Sequence, residues 1–165
     1  MNLVVYGSLL NKEELKKHNI NLDKIEYVKV YGFKRVFNQL PSWREVKGNK
    51  KAVLNIKKDR DSWFNAILIK DLDESYFREL DIRERGYNRV KIEDLVVGYN
   101  GEVFENCFVY CGKEGMQSDL ILPNEEYFKI CYEGAKGHFE EFFKDYIKTT
   151  YMNSKEGLKR IEEKS

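Results

Sequence analysis

The alternation of hydrophobic and polar positions predicts that strands come first in this chain and helices last. Residues 2–6 (NLVVY) form a short apolar run that is typical of a buried strand. Residues 25–40 alternate between two faces, with Val28 and Val30 on the same one. Four further runs predict strands: AVLNI (52–56), SWFNAILI (62–69), YNRVKIEDLVV (87–97) and VFENCFVYC (103–111).

Polar stretches between these runs predict turns and loops. The charged stretch KKDRD (57–61) predicts the turn of a hairpin, and GYNGE (98–102) predicts a second turn. The stretch PSWREVKGNK (41–50) is rich in turn residues and predicts a loop, and residues 114–124 predict irregular structure.

Helical spacing appears first in NKEELKKHNI (11–20). Asn11 is the expected N-cap of this helix, and Glu14 stands at the capping-box position. A second helix is expected in DESYFRELDIRERG (73–86), beginning near Asp71 or Asp73 and ending at Gly86.

The C-terminal third of the chain predicts a helix in two pieces. Residues 125–151 have helical spacing, with Gly134 and Gly137 near the expected break. The charged tail (151–165) predicts a solvated helix or a frayed end. We therefore expect a single domain over residues 1–150 followed by this tail.

The order of elements favours an α+β fold. Strands and helices do not alternate strictly, so the sheet is expected to be mixed or mostly antiparallel and flanked by helices. The number of short strands in a chain of 165 residues also favours closure into a small β-barrel.

Composition narrows the function classes. The formal net charge is +1, from 29 basic and 28 acidic residues, which gives no electrostatic reason to expect nucleic acid or an anionic membrane as a partner. No apolar stretch approaches the roughly 18 residues of a membrane helix, and the N-terminus lacks the pattern of a signal peptide. We expect a cytoplasmic protein, whose oligomeric state the sequence leaves open.

The cysteine and histidine content argues against a metal site or a disulfide framework. Cys107 and Cys111 would share one face of a strand and are expected in the core. Cys131 makes the count odd, and the two histidines, His18 and His138, are far apart in sequence.

Glu84 is the first candidate for chemistry. Helical spacing places it on the same stripe as Phe77 and Leu80, so its carboxylate faces the core side. Burial raises the pKa of a carboxyl group, as a general acid or base near neutral pH requires. Two alternatives stay open: the helix ends at Leu80, or Glu84 pairs with a nearby arginine at the surface.

The stretch YGSLL (6–10) is the second candidate. It joins the first strand to the first helix, where consecutive backbone N–H groups can hold a carboxylate or an oxyanion. Gly7 would let the backbone approach a ligand closely. Ser8 is a poor nucleophile candidate, because the second Gly of a G-x-S-x-G elbow is missing. The stretch therefore predicts a binding loop, with an ordinary turn as the alternative.

Four stretches together resemble the gamma-glutamylcyclotransferase superfamily. They are VVYGSLL, GFKRVFN, LDIRERGYNRV and LPNEEYFKICYEGAKG, in that order from residue 2 to about residue 140. The resemblance implies a small barrel flanked by helices and an enzyme that converts a gamma-glutamyl compound into 5-oxoproline and a free amine. It implies no metal, nucleotide or covalent intermediate.

The resemblance also implies site residues. Glu84 matches the catalytic acid/base of the family, and the backbone of the substrate loop matches Tyr6, Gly7, Ser8 and Leu9. The expected pocket is completed by two further aromatic residues, Tyr87 and Tyr110.

This sequence departs from the family pattern at two points. Leu9 follows Ser8 where many members have Asn, and Asn65 and Ala66 stand where some members have Gly. The substrate therefore stays open among glutathione, a gamma-glutamyl peptide, a gamma-glutamylamine and a specialised metabolite. The alternative function is a binding module that holds a gamma-glutamyl or other small carboxylate ligand without turnover.

Overall fold

Two long antiparallel strands organise the fold. Strand β2 (Ile25–Gln39) has 15 residues, strand β3 (Lys50–Ile69) has 20, and they pair over almost their whole length. The computed structural model describes residues 1–41 and 48–164. Most of the loop that was predicted at 41–50 therefore lies outside the described residues.

The predicted hairpin at KKDRD is wrong, because β3 runs straight through this stretch. The charged residues form an irregularity within the ladder, where the pairing jumps from Tyr31–Trp63 to Phe33–Lys58. The Asp59 carboxylate accepts hydrogen bonds from the two residues that close the bulge, at 3.1 and 2.8 Å. A bulge absorbs extra residues without reversing the strand, so polar composition alone misled the prediction.

The other strands extend the sheet on both sides of this pair. They are β1 (Asn2–Val5), β4 (Tyr87–Lys91), β5 (Val96–Gly98), β6 (Cys107–Gly112), β7 (Leu122–Pro123), β8 (Thr150–Ser154) and β9 (Gly157–Arg160). The strand order is β4-β6-β1-β3-β2-β8-β9, while β5 pairs with β2 and β7 with β3. Parallel and antiparallel pairs both occur.

The predicted α+β class with a mixed sheet is confirmed. No pairing within residues 1–41 and 48–164 joins β4 to β9, so the sheet is not closed and the predicted barrel is not shown. The run at 87–97, predicted as one strand, divides into β4 and β5, which pair with different partners.

The C-terminal segment is neither a solvated helix nor a frayed end. Strand β8 pairs in parallel with β2, and β9 folds back on β8. Gly157 begins β9 with φ of 101°, a left-handed conformation that favours glycine. The prediction failed because it took charged residues as a sign of a solvated segment. An edge hairpin is also rich in charged residues, since few of its positions are buried.

In residues 1–41 and 48–164, four α-helices lie beside the sheet. They are α1 (Lys12–Lys17), α2 (Glu74–Arg83), α3 (Glu125–Lys136) and α4 (Glu140–Lys148). Asn11 and Asp73 are the N-caps as predicted, although the Glu14 carboxylate bonds Lys17 in place of completing a capping box. Gly137 ends α3, which confirms the predicted break.

The hydrophobic core includes buried residues of the sheet and of all four of these helices. Phe64, Phe77 and Phe142 are fully buried at its centre. In the part of the chain that the structure describes, no helix has both the length and the apolar character needed to cross a membrane.

Candidate active site

The loop after β1 offers consecutive backbone donors. Residues Ser8–Leu10 form a 3-10 turn, held by hydrogen bonds from Leu10 N to Gly7 O and from Asn11 N to Ser8 O, both 3.0 Å. Among the described residues, the N–H groups of Gly7, Ser8 and Leu9 have no acceptor. Such a row of free donors can bind an anionic oxygen.

A cavity of about 460 Å³ opens against this loop. It brings together all of the residues that the sequence analysis selected: Tyr6, Gly7, Ser8, Leu9, Glu84, Tyr87 and Tyr110. The cavity is also lined by Tyr127 of α3 and by Leu54 of β3. A volume of this size suits a small-molecule ligand.

Glu84 enters the cavity from the end of α2. The helix ends at Arg83, not at the predicted Gly86, and Glu84 is its C-cap, with its N–H 2.8 Å from Leu80 O. Phe77 and Leu80 are buried as the stripe predicted, and Glu84 is half-buried.

The environment of Glu84 favours its protonated form. Burial raises the pKa of its carboxyl group, and the nearby Arg83 opposes this only in part. Within the described residues Glu84 forms no salt bridge, and Arg89 pairs with Glu74 and Asp81 at 3.0 and 3.4 Å. The surface ion pair considered as an alternative is therefore not formed.

Three of the tyrosines around the cavity donate their hydroxyl hydrogens within the protein. Tyr6 donates to Tyr110 O at 2.6 Å, and Tyr87 donates to Leu54 O at 2.8 Å. Tyr110 donates to the Asp81 carboxylate at 2.7 Å. Their hydroxyls therefore fix the walls of the cavity.

Tyr127 differs from these three, and it was not among the site residues predicted from the sequence. Its hydroxyl accepts a hydrogen bond from Leu54 N at 3.4 Å, and its own hydrogen has no acceptor among the described residues. Burial raises its pKa, so the hydroxyl keeps its hydrogen near neutral pH. It is a free donor beside Gly7. The sequence feature that could have predicted Tyr127 as a site residue is its place in the stretch LPNEEYFKICYEGAKG.

Four charged or titratable side chains lie at the rim of the cavity: Glu14, His18, Arg83 and Arg85. Glu14 is paired with Lys17 at 3.3 Å. Arg83 and Arg85 are exposed, and neither has an ion-pair partner in the described ranges. Two guanidinium groups are therefore free to meet a negative charge at the rim.

Comparison with known proteins identifies the fold. No family model matches the sequence, and no curated protein matches it. A solved structure described as a gamma-glutamyl cyclotransferase is similar over 88% of this chain and 85% of its own, with a TM-score of 0.65 and 19% identity.

Two further structures agree. An uncharacterized protein of Homo sapiens covers the same shares with a TM-score of 0.64 and 19% identity. A yeast gamma-glutamyl cyclotransferase specific to glutathione covers 91% of this chain and 96% of its own, with a TM-score of 0.63 and 13% identity. The chain therefore has the gamma-glutamyl cyclotransferase fold, which confirms the resemblance seen in the sequence at the level of fold.

Proposed function

We propose that the protein is a cofactor-independent gamma-glutamylcyclotransferase. The observation that carries this proposal is the placement of Glu84, a half-buried carboxyl group with a raised pKa, in one cavity with the free N–H groups of Gly7, Ser8 and Leu9. The first supplies an acid/base, and the second supplies an anion site.

The loop would bind the α-carboxylate of the glutamyl group. The N–H groups of Gly7, Ser8 and Leu9 supply the donors, and charge-assisted hydrogen bonds of this kind are stronger than neutral ones. Anchoring one end of the substrate folds its flexible chain towards Glu84.

The reaction is a ring closure within the substrate. The α-amine attacks the γ-carbonyl carbon, a C–N bond forms, and the bond to the leaving nitrogen breaks. Because the nucleophile belongs to the substrate, holding the folded conformer supplies most of the advantage, with effective molarities of about 10⁵–10⁸ M for well-oriented groups. No covalent enzyme intermediate is required.

Glu84 would move the proton. Its carboxylate accepts a proton from the attacking amine and passes it to the leaving nitrogen, so the same group ends the cycle ionised. A raised pKa brings its proton affinity closer to that of the reacting groups.

Tyr127 would serve the same chemistry. Its hydroxyl hydrogen is free beside Gly7, so it can be donated to the carbonyl oxygen on which negative charge develops.

The rim favours a leaving group that carries a carboxylate. Arg83 and Arg85 are unpaired within the described ranges, so they would meet the carboxylate of a peptide or amino-acid leaving group. This favours glutathione or a gamma-glutamyl peptide over a gamma-glutamylamine.

Release of 5-oxoproline from a substrate panel tests the proposal. We would incubate the wild type and Glu84→Gln with glutathione, γ-glutamyl-alanine and γ-glutamyl-ε-lysine. The expected result is release by the wild type that is lost in a folded Glu84→Gln variant. Binding of these compounds without release would support the binding module in place of the enzyme.

A further inference from the structure

Arg35 is a fully buried residue outside the cavity, and its guanidinium is completely hydrogen-bonded. Nε donates to Thr150 Oγ1 at 2.9 Å, and Nη2 donates to Asn65 Oδ1 at 2.6 Å and Thr149 Oγ1 at 2.9 Å. Nη1 donates to Asn65 O at 2.6 Å and to Tyr6 O at 3.3 Å. These contacts tie β2 and β3 to the end of α4, to β8 and to the start of the substrate loop.

All of these acceptors are neutral. Arg35 forms no salt bridge with any carboxylate in the described part of the chain, and its Cζ lies 4.6 Å from the ring centroid of Tyr146 and 5.8 Å from that of Phe64. Burial lowers its pKa to about 10, so it stays cationic at neutral pH. A buried cation without a counter-ion is costly, and the five hydrogen bonds that Arg35 donates offset part of that cost.

The contact with Tyr6 O connects this charge to the site. That oxygen belongs to the same peptide unit as the Gly7 N–H, which is the first free donor of the loop. In a planar trans peptide the C=O and N–H point in opposite directions. The N–H therefore points away from Arg35, which does not line the cavity, whereas Gly7 does.

We propose that Arg35 is a positioning residue that orients and polarises the Tyr6–Gly7 peptide so that its N–H binds the substrate carboxylate. A hydrogen bond to a peptide oxygen strengthens the N–H of the same unit as a donor, and a cation strengthens it more than a neutral donor does. The positive charge of Arg35 then acts on the substrate carboxylate through the Tyr6–Gly7 peptide, by making its N–H a stronger donor. This inference rests on the proposed function of the loop.

The test compares Arg35→Lys with Thr150→Val. Lysine keeps a cation but cannot reach Tyr6 O, Asn65 and Thr150 together, because it lacks the guanidinium fork. Thr150→Val removes a bond at the opposite end of Arg35 and leaves the Tyr6 contact in place. It therefore controls for lost stability.

The first measurement is the amide spectrum of the protein without ligand. The Gly7 ¹⁵N resonance is expected to move in Arg35→Lys and to move much less in Thr150→Val. An unmoved Gly7 resonance in a folded Arg35→Lys variant would overturn the inference, whether or not the protein has any activity.

The second measurement separates recognition of the carboxylate from general loosening. We would titrate 5-oxoproline, and 2-pyrrolidinone as its analogue without the carboxylate, and follow the loop amides. In Arg35→Lys the preference for 5-oxoproline should shrink about fivefold, and KM for the best substrate should rise about fivefold with kcat changed less than about twofold. An unchanged preference would overturn the inference.

Asn65→Asp provides the same test if Arg35→Lys does not fold. It sets a carboxylate on Nη2, at a contact that is now 2.6 Å, and so gives the guanidinium a counter-ion, while the hydrogen bond from Asn65 Nδ2 to Phe142 O at 2.7 Å is lost. The preference for 5-oxoproline over 2-pyrrolidinone should again shrink. An unchanged preference would contradict the positioning role of Arg35. Absence of any preference in the wild type, together with no 5-oxoproline release, would refute the proposed function itself and leave the Gly7 resonance to decide the role of Arg35.

Discussion

The hydroxyl oxygen of Tyr127 lies 2.6 Å from the point at which a Cβ on Gly7 would stand. This is closer than real Cβ contacts allow, so only glycine lets the loop backbone lie against this tyrosine. The next atoms, on Leu54, are 3.7 and 3.8 Å away, which is ordinary contact. The contact places the free hydroxyl hydrogen of Tyr127 beside the free N–H groups of the loop.

Gly7→Ala and Tyr127→Phe are therefore expected to lower kcat/KM for different reasons. The methyl group of alanine would displace the loop or α3, and misplacement by about 1 Å can cost roughly 100-fold. Tyr127→Phe would remove one hydrogen-bond donor to the developing oxyanion and lower kcat about 10²-fold to 10³-fold. Steady-state assays on γ-glutamyl-alanine would measure both.

The double variant tests the contact itself. Phenylalanine has no hydroxyl oxygen to clash with the added methyl group. Gly7→Ala should therefore lower kcat/KM much less in the Tyr127→Phe background than in the wild type. If the losses in kcat/KM of the two single variants were additive in the double variant, Gly7 and Tyr127 would not be in contact as described.

Glu84→Gln is expected to lower kcat by about 10²–10⁴-fold, the usual contribution of a general acid/base. In the wild type, activity should fall on the acid side as Glu84 becomes protonated. Because burial raises its pKa, this inflection should lie above the ordinary value of 4.5. A pH profile of kcat/KM measures it, and an inflection at or below 4.5 would contradict the assignment.

The same variant is expected to be more stable than the wild type at neutral pH. The raised pKa means that folding disfavours the ionised carboxylate, so the wild type loses stability as pH rises through 4.5 and the folded-state pKa above it. Urea unfolding at pH 7 should show a gain for Glu84→Gln that disappears at low pH. The exposed Glu79 of the same helix provides the matched Glu→Gln control.

His138 predicts a loss of stability in acid. Its Nε2–H donates to Leu10 O at 2.7 Å and its Nδ1 accepts from Tyr27 at 2.8 Å, so the neutral ring fits. Burial lowers its pKa below 6.5, the hydrogen bond to Leu10 O opposes this in part, and Lys12 acts in the same direction as burial. His138 therefore binds a proton less readily in the folded state than in the unfolded state. The free energy of unfolding falls as the pH drops below 6.5.

Unfolding in urea between pH 8 and pH 5 would measure this effect. His138→Gln should flatten the pH dependence of the unfolding free energy over this interval. An unchanged slope in His138→Gln would show that other groups are responsible.

Arg83 and Arg85 are expected to select the leaving group. Replacing both by Gln should raise KM for glutathione about threefold to tenfold, since exposed ion pairs contribute modestly. KM for a γ-glutamyl-methylamide, whose leaving group has no carboxylate, should change little. Arg78→Gln is the control, because Arg78 is exposed on α2 and lies outside the cavity lining. An equal change for both substrates would contradict the prediction.

The sequence predicted much of this architecture because local rules govern it. The N-caps Asn11 and Asp73 and the break at Gly137 depend on adjacent residues, and all three are confirmed. The bulge at Asp59 and the edge hairpin after Thr150 depend on partner strands that are distant in sequence, and both were missed.

The candidate site also combines features that depend on adjacent residues with features that depend on residues distant in sequence. Glu84 was predicted from its helical stripe, yet it lies at the C-cap, because α2 ends at Arg83. Tyr127 and Arg35 were not selected at all. Their significance depends on which hydrogen bonds they make or lack, and only the packing of β2, β3 and α3 against the loop determines this.

In the proposed reaction the nucleophile is the substrate's own α-amine. Turnover of γ-glutamyl-alanine in H₂¹⁸O, followed by mass spectrometry of the products, would distinguish this amine from water as the nucleophile. Unlabelled 5-oxoproline and alanine in equal amounts are expected from the wild type, with the rate lost in Glu84→Gln. Glutamate carrying ¹⁸O would show that water is the nucleophile and would refute the proposed ring closure.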